Sequence, residues 1–178
     1  MPRLFVALDL PPNAREALSA AGANADPDIW RAVNADTLHI TLAFLGTRPE
    51  TDVLTITAIV AAEASSPAPQ LTLARVLLLP PRRARVLTVE LEETGLKDLQ
   101  ARISERLAEA GVYTPEKRAF RPHVTVARLR PRVRPPRDAS VSVERLRFHG
   151  TAVTLYVSRL HPHGARYEAL ATAPLATP

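Results

Sequence analysis

Two short stretches of the chain repeat the same arrangement of histidine and threonine. In "LHITLAFLG", Thr41 follows His39 by two positions, and in "PHVTVARLR", Thr125 follows His123 by two positions. Side chains two apart on a strand point to the same face, so each stretch presents an imidazole and a hydroxyl together. The apolar residues between them predict that the other face packs against a core.

Strict alternation along these two strands also assigns the neighbouring side chains. It places Ala43 beside the first histidine and Ala127 beside the second, and small residues there predict a groove. It places Phe44 on the apolar face of the first strand. It directs Arg128 away from His123, so a bulge or the end of the strand is needed to bring that arginine to the groove.

A pair of histidines can perform acid and base chemistry at neutral pH. Because imidazole titrates near neutrality, one ring can hold a proton while the other accepts one. Facing each other across a cleft, such rings can activate water on one side of a phosphorus and protonate a leaving oxygen on the other. The hydroxyls of Thr41 and Thr125 can then donate hydrogen bonds to the phosphoryl oxygens. Ordinary half-buried histidines and a metal site are the alternatives, although no acidic residue lies beside either histidine on its strand.

The composition is that of a globular protein with a preference for anionic partners. The chain has 178 residues, of which 46% are hydrophobic and 23% are charged, and its net charge is +5 at pH 7. Nucleic acids and phosphate esters are partners that match this charge, although an arginine-rich composition alone can also produce it. The absence of cysteine excludes disulfides, thiolate metal sites and cysteine nucleophiles. Without a signal-like or membrane-spanning apolar run, the sequence predicts a cytoplasmic protein.

Hydrophobic periodicity predicts strands and helices in an order typical of an α+β fold with antiparallel sheets. Residues 130–138 are rich in proline and arginine and predict a basic loop. A helix over 94–110 is expected to be capped by Thr94, and one over 13–23 by Asn13. The other predicted helix covers 51–64, and the predicted strands cover 4–10, 30–33, 39–45, 71–79, 85–91, 123–129, 141–148, 152–158 and 165–173.

Both histidine motifs resemble the paired signatures of the 2H phosphoesterase superfamily. The similarity is to the RNA 2′,3′-cyclic phosphodiesterase branch, formerly called 2′-5′ RNA ligases, and "RLFVALDLP" and "LYVSRLHPHGARYEALATAPL" resemble its two ends. The resemblance implies a bilobal fold with pseudo-two-fold symmetry, in which antiparallel sheets line a central cleft and helices lie outside. Residues 1–178 would form one domain of two intertwined lobes, each contributing one His-x-Thr strand.

The same resemblance implies roles for the four motif residues. His39 would be the proton donor, His123 the proton acceptor, and Thr41 and Thr125 the groups that hold phosphate. The implied reaction opens the 2′,3′-cyclic phosphate at an RNA end to a 2′-phosphomonoester, without a metal or another cofactor. Strand geometry alone is symmetric and does not assign donor and acceptor.

Several other residues are candidates for contact with RNA or for positioning. Asp9 is expected either to orient an imidazole in the groove or to cap the adjoining turn. His161 and His163 are expected at the surface. Solvated arginines and aromatic side chains packed in the core remain the alternative for the candidate RNA contacts, which are Arg128, Arg121, Arg130, Phe5 and Phe120.

The function predicted from the sequence has three alternatives. These are 2′-5′ RNA ligation at the same site, hydrolysis of a small cyclic nucleotide phosphate, and RNA binding without catalysis. The expected partner is RNA that ends in a 2′,3′-cyclic phosphate, and we expect a monomer that does not associate with membranes.

Overall fold

The computed structural model describes residues 1–159 and 165–177. His161 and His163 therefore lie outside the described residues. No helix in the described ranges combines the length and the apolar character that a membrane crossing requires. The elements are β1 (Arg3–Leu8), α1 (Pro12–Ala23), β2 (Trp30–Ala32), β3 (Ile40–Thr47), α2 (Glu50–Ala61), β4 (Gln70–Leu79), β5 (Val86–Thr94), α3 (Leu96–Glu109), β6 (His123–Leu129), β7 (Arg147–His149), β8 (Ala152–Arg159) and β9 (Arg166–Pro174).

The strands form two antiparallel sheets. One sheet has the order β3-β1-β8-β9, and the other has the order β2-β6-β5-β4-β7. The first histidine motif lies at β3 and the second on β6, so each sheet carries one of them. The α+β class with antiparallel sheets, predicted from the sequence, is confirmed.

The core of the protein is formed by apolar side chains from both sheets and from the helices. Helix α3 illustrates how the sequence produces this packing, because its apolar residues recur at helical spacing and cover one face. That face is buried against the sheets, as predicted. Its buried apolar residues are Leu96, Leu99, Ile103 and Leu107.

Both predicted helix caps are wrong, and each has a local reason. Thr94 belongs to β5, and the first-turn amide of Leu96 instead donates to the carboxylate of Glu93 at 2.9 Å. Helix α1 begins at Pro12, one residue before Asn13, because proline suits a first helical turn whose amides have no partner within the helix.

The strand predicted over 141–148 is also wrong, since only Arg147–His149 is a strand. Val141 and Val143 pack against the core without joining a ladder, so the alternation there reflects burial rather than strand pairing. The basic segment 130–138 contains no helix or strand, which confirms the loop prediction.

Candidate active site

A β-bulge in β6 decides which of its side chains reach the same face. Against β5, Thr125 pairs with Thr88 and Ala127 pairs with Leu87, so Val126 is an extra residue with no partner. Such a residue shifts the alternation of the residues that follow it by one position. Arg128 therefore lies on the same side of the strand as His123 and is exposed. The bulge is thus the feature that brings this arginine to the groove.

The first motif contains a bulge at the equivalent position. Against β1, Thr41 pairs with Ala7 and Ala43 pairs with Val6, so Leu42 is the extra residue. The prediction that Ala43 lies beside the histidine is wrong, because its side chain is buried in the core.

Strict alternation also predicted the wrong face of the strand for two other residues. Phe44 was expected on the apolar face, but it is 46% exposed and lines the cleft described below. Ala127, like Ala43, is buried in the core instead of facing the groove. The groove is therefore not made by small residues at these positions.

The two sheets together line one open cleft of about 320 Å³. Both histidines and both threonines of the motifs lie along this cleft. The fold therefore brings together two motifs that are separated by about half the chain. The size suits a nucleotide-sized ligand. The predicted residues on its surface are His39, Thr41, His123, Thr125, Arg128 and Phe5.

Both imidazoles are held in the same way by the backbone. Nδ1 of His39 lies 2.7 Å from the carbonyl oxygen of Thr37, and Nδ1 of His123 lies 2.7 Å from that of Arg121. A carbonyl only accepts hydrogen bonds, so each Nδ1 carries the hydrogen. Nε2 is then the atom of each neutral ring that can accept a proton, and Nε2 of His39 lies 3.1 Å from Oγ1 of Thr41.

His39 is enclosed by aromatic rings. The centroid of its ring lies 4.9 Å from that of Phe5 and 5.4 Å from that of Tyr167, which meets it edge-on. This burial lowers the pKa of His39 from its ordinary value of 6.5, because a charged imidazole loses hydration there. The carbonyl of Thr37 and the negative charge of Asp9 oppose that effect, whereas the positive charge of Arg128 adds to it.

Asp9 makes its side-chain hydrogen bonds to β8 rather than to an imidazole. Its carboxylate accepts from Oγ1 of Thr154 at 2.6 Å and from the hydroxyl of Tyr156 at 2.8 Å. Burial and the bond to Asp9 raise the pKa of Tyr156 to about 12, so this phenol stays protonated as a donor. Asp9 therefore influences His39 through its charge and does not orient the ring directly.

Three of the predicted RNA contacts lie elsewhere than the lining of the cleft. Nε of Arg121 donates to Glu90 at 2.7 Å, and Nε of Arg130 donates to the carbonyl of Pro27 at 2.6 Å. Phe120 is partly buried against the core. Contact of these residues with RNA stays a prediction.

Sequence reasoning missed several residues that line the cleft, among them a guanidinium and two aromatic rings. The guanidinium carbon of Arg3 lies 4.9 Å from the centroid of the Phe44 ring, and Tyr167 reaches the cleft from β9. The position of Arg3 at the start of "RLFVALDLP", the stretch that resembles the opening strand of the family, is a signal that could have identified it. Phe44 and Tyr167 depend on strand register, which the sequence does not display.

The polar groups along the cleft are imidazoles, hydroxyls and the guanidinium groups of Arg3 and Arg128. Imidazoles transfer protons, and hydroxyls and guanidinium groups donate hydrogen bonds to anions. Within residues 1–159 and 165–177, no three His, Asp or Glu side chains are grouped as ligands for a metal ion. The arrangement is chemically suited to bind an anionic group and to move protons on either side of it.

Comparison with known proteins gives a consistent set of relatives. A family model described as the 2′-5′ RNA ligase superfamily matches residues 10–163. The chain is 35% identical over 144 residues to an RNA 2′,3′-cyclic phosphodiesterase of Thermus thermophilus, covering 75% of this chain and 73% of the relative. A crystal structure of a Thermus thermophilus protein has a TM-score of 0.85 at 28% identity and covers 97% of both chains. Escherichia coli LigT complexed with 3′-AMP has a TM-score of 0.79 at 29% identity and covers 98% of both chains.

Proposed function

The chain belongs to the 2′-5′ RNA ligase superfamily, and on that premise we propose that it hydrolyses RNA 2′,3′-cyclic phosphate ends to 2′-phosphomonoesters. One observation carries this proposal. Two histidines, each with Nδ1 bonded to a backbone carbonyl, line one cleft together with two threonines. Relatives named RNA 2′,3′-cyclic phosphodiesterase support the choice of substrate.

The proposed reaction uses one histidine on each side of the phosphorus. Nε2 of His123 accepts a proton from water, whose oxygen forms a bond to phosphorus. The bond between phosphorus and the 3′ oxygen breaks, and Nε2 of His39 donates a proton to that oxygen. The phosphate remains on the 2′ oxygen, and a second round requires only proton exchange with water.

Substrate binding and the protonation of His39 support each other in this scheme. The lowered pKa keeps most of the free protein with a neutral His39 at neutral pH. A bound cyclic phosphate is an anion, and a nearby negative charge favours the protonated imidazole. We therefore propose that His39 takes up its proton as the substrate binds and then donates it to the 3′ oxygen.

The remaining polar groups of the cleft are assigned to the phosphoryl oxygens. Protonation of His39 makes its Nε2 a donor, so the hydroxyl hydrogen of Thr41 becomes available to the substrate. Thr125 and Arg128 line the opposite side of the cleft on β6. Their hydroxyl and guanidinium groups stabilise the negative charge that develops on those oxygens in the transition state.

We also propose that residues 1–178 form one domain of two lobes, each built around one sheet. The chain passes repeatedly between the sheets, because β1 and β3 belong to one and β2 to the other. A single cluster of buried apolar residues includes side chains from both sheets. These features support lobes that fold together.

The proposal is tested with a short RNA that ends in a 2′,3′-cyclic phosphate, incubated with the protein in EDTA. We expect a 2′-phosphate product. A 3′-phosphate product, or turnover only with added metal, would contradict the mechanism. Ligation is monitored separately by adding an RNA with a free 5′ hydroxyl and measuring 2′-5′ linked product.

Substitution of the histidines separates catalysis from binding. His39→Ala and His123→Ala are each expected to reduce kcat by roughly 10²- to 10⁴-fold, because each removes one proton transfer. His149→Ala is the matched control, since His149 lies on β7 outside the lining of the cleft. Wild-type turnover in both cleft variants would contradict the two-histidine mechanism. Binding of the RNA by the wild-type protein without any turnover would favour a binding protein without catalysis.

A further inference from the structure

The exposed arginines of this protein fall into two groups that differ in their partners. Arg75 and Arg121 both form ion pairs with Glu90, and Arg145 pairs with Glu92. Another group forms no ion pair with any carboxylate of residues 1–159 and 165–177, and its positive charge is not neutralised locally. Five members of this group lie close together in the second sheet and its β4-β5 turn: Arg31, Arg82, Arg83, Arg85 and Arg128.

These five arginines lie at one end of the β2-β6-β5 part of the second sheet and are named here the basic rim. Arg128 pairs in register with Arg31 on one side and with Val86 on the other. The carbonyl of Arg85 accepts from the amide of Leu129 at 2.9 Å, so the turn between β4 and β5 adjoins the end of β6. Arg82 and Arg83 lie in that turn.

The basic rim is continuous with the cleft through Arg128, which belongs to both. Thr125 pairs with Thr88, and Arg85 precedes Thr88 by three residues. At about 3.3 Å per strand residue, the turn lies on the order of 10 Å from the threonine proposed to bind phosphate. Asp26, four residues before the start of β2, has its carboxylate bonded to the amide of Asp28 at 2.9 Å.

We propose that the basic rim binds the phosphate backbone of the single-stranded RNA segment that precedes the cyclic phosphate. This inference rests on the proposed function, because it takes the cyclic end to lie between the histidines. Because a 2′,3′-cyclic phosphate occupies the 3′ end of the RNA, all other nucleotides of the RNA lie on its 5′ side. The 5′ phosphates then extend beyond the cleft, where arginines without carboxylate partners neutralise them.

This arrangement makes the preferred substrate an oligonucleotide rather than a cyclic mononucleotide. A mononucleotide fills the cleft but carries no phosphate that reaches the turn between β4 and β5. The rim contacts only the backbone, so it raises affinity for RNA without selecting a base sequence.

The test removes three charges of the rim that lie outside the cleft. The variant Arg82→Gln, Arg83→Gln, Arg85→Gln is assayed on a short RNA with a 2′,3′-cyclic end and on a 2′,3′-cyclic mononucleotide. Each phosphate neutralised on a single strand contributes about 0.7 to the slope of log affinity against log salt, so the slope is expected to fall by about 2. We expect kcat/KM for the RNA to fall by roughly tenfold to a hundredfold at about 0.1 M salt, and kcat/KM for the mononucleotide to stay unchanged.

A matched control removes the same charge elsewhere on the surface. Arg118→Gln, Arg145→Gln, Arg147→Gln alters exposed arginines outside the rim and is expected to keep wild-type turnover of both substrates. An equal loss in this control, an equal loss on both substrates, or no loss on the RNA would overturn the proposal.

A binding measurement distinguishes failure of the rim from failure of the proposed function. If the wild-type protein hydrolyses neither substrate, the proposed function fails. Fluorescence anisotropy with a labelled single-stranded RNA ending in a 2′-phosphate then tests the rim directly. Weaker binding and a smaller salt slope in the rim variant support it, and unchanged binding and slope overturn it.

Discussion

Gly22 on α1 is expected to control the position of Arg128 through the bulge in β6. A Cβ at this position would lie 2.5 Å from the carbonyl oxygen of Val126, the bulged residue. That carbonyl also accepts a hydrogen bond from the amide of Val33 at 2.9 Å. The helix therefore contacts the strand by its backbone at the point where the alternation of β6 changes.

The expected effect of Gly22→Ala follows from these distances. A contact of 2.5 Å must open by about 0.5 Å before it reaches even the shortest separations that Cβ atoms adopt. Overpacking of this kind costs about 1–3 kcal/mol, and weakening the bond from Val33 adds about 1 kcal/mol. Alanine returns about 1 kcal/mol through its helix propensity. We expect the free energy of unfolding to fall by about 1–3 kcal/mol.

Activity is expected to fall along with stability. Displacement of the bulge moves Thr125 and Arg128, and an error of about 1 Å in a catalytic site costs about a hundredfold in rate. A shift of half that size is expected to lower kcat/KM by roughly tenfold.

Guanidinium denaturation and steady-state kinetics on the cyclic-phosphate RNA measure the two effects of Gly22→Ala. The control is Gly111→Ala, where φ is +72° and no atom of residues 1–159 and 165–177 lies within 4 Å of the added Cβ. Alanine in this conformation costs about 1–2 kcal/mol of stability, but it should leave kcat/KM unchanged because Gly111 follows α3 away from the cleft. Wild-type stability together with wild-type kcat/KM in Gly22→Ala would show that the close approach of α1 to Val126 constrains neither the packing nor the cleft.

Three further predictions concern titration and a buried ion pair. Asp9→Asn removes a negative charge that raises the pKa of His39, so the pKa of His39 should fall further. As His39 is the proposed proton donor, the alkaline limb of the pH profile of kcat/KM should then move to lower pH. Movement of the acidic limb instead would make His39 the proton acceptor. Because burial lowers the pKa of His39, protons bind the unfolded chain more readily, and stability falls as pH drops below 6.5. In His39→Asn this loss should be smaller, and a loss equal to that of the wild type in denaturation at several pH values would contradict the assignment. The buried carboxylate of Glu63 forms ion pairs with Arg102 at 2.8 Å and with Arg106 at 3.0 Å. Glu63→Gln should therefore lower the free energy of unfolding in denaturant by about 1–3 kcal/mol while kcat/KM stays unchanged. An unchanged free energy of unfolding would show that the partly exposed arginines rehydrate at no cost.

The histidine motifs could be predicted because their signal is local. His39 and Thr41 share a face through the two-residue period of a strand, which needs no knowledge of the partner strand. The helical spacing of Leu96, Leu99 and Ile103 identified α3 for the same reason. Composition and net charge likewise depend on the chain alone and indicated an anionic partner.

The tertiary structure decided which side chains join the motifs at the cleft. Bulges at Leu42 and Val126 bring Phe44 and Arg128 to the cleft, and a bulge exists only in relation to the register of a second strand. Asp9 meets Thr154 across a sequence separation of 145 residues, which no local pattern encodes. The pKa of His39 is lowered because rings from different strands exclude water around it. The sequence by itself therefore determined the two histidine motifs and the strands that carry them, whereas packing between strands determined their surroundings.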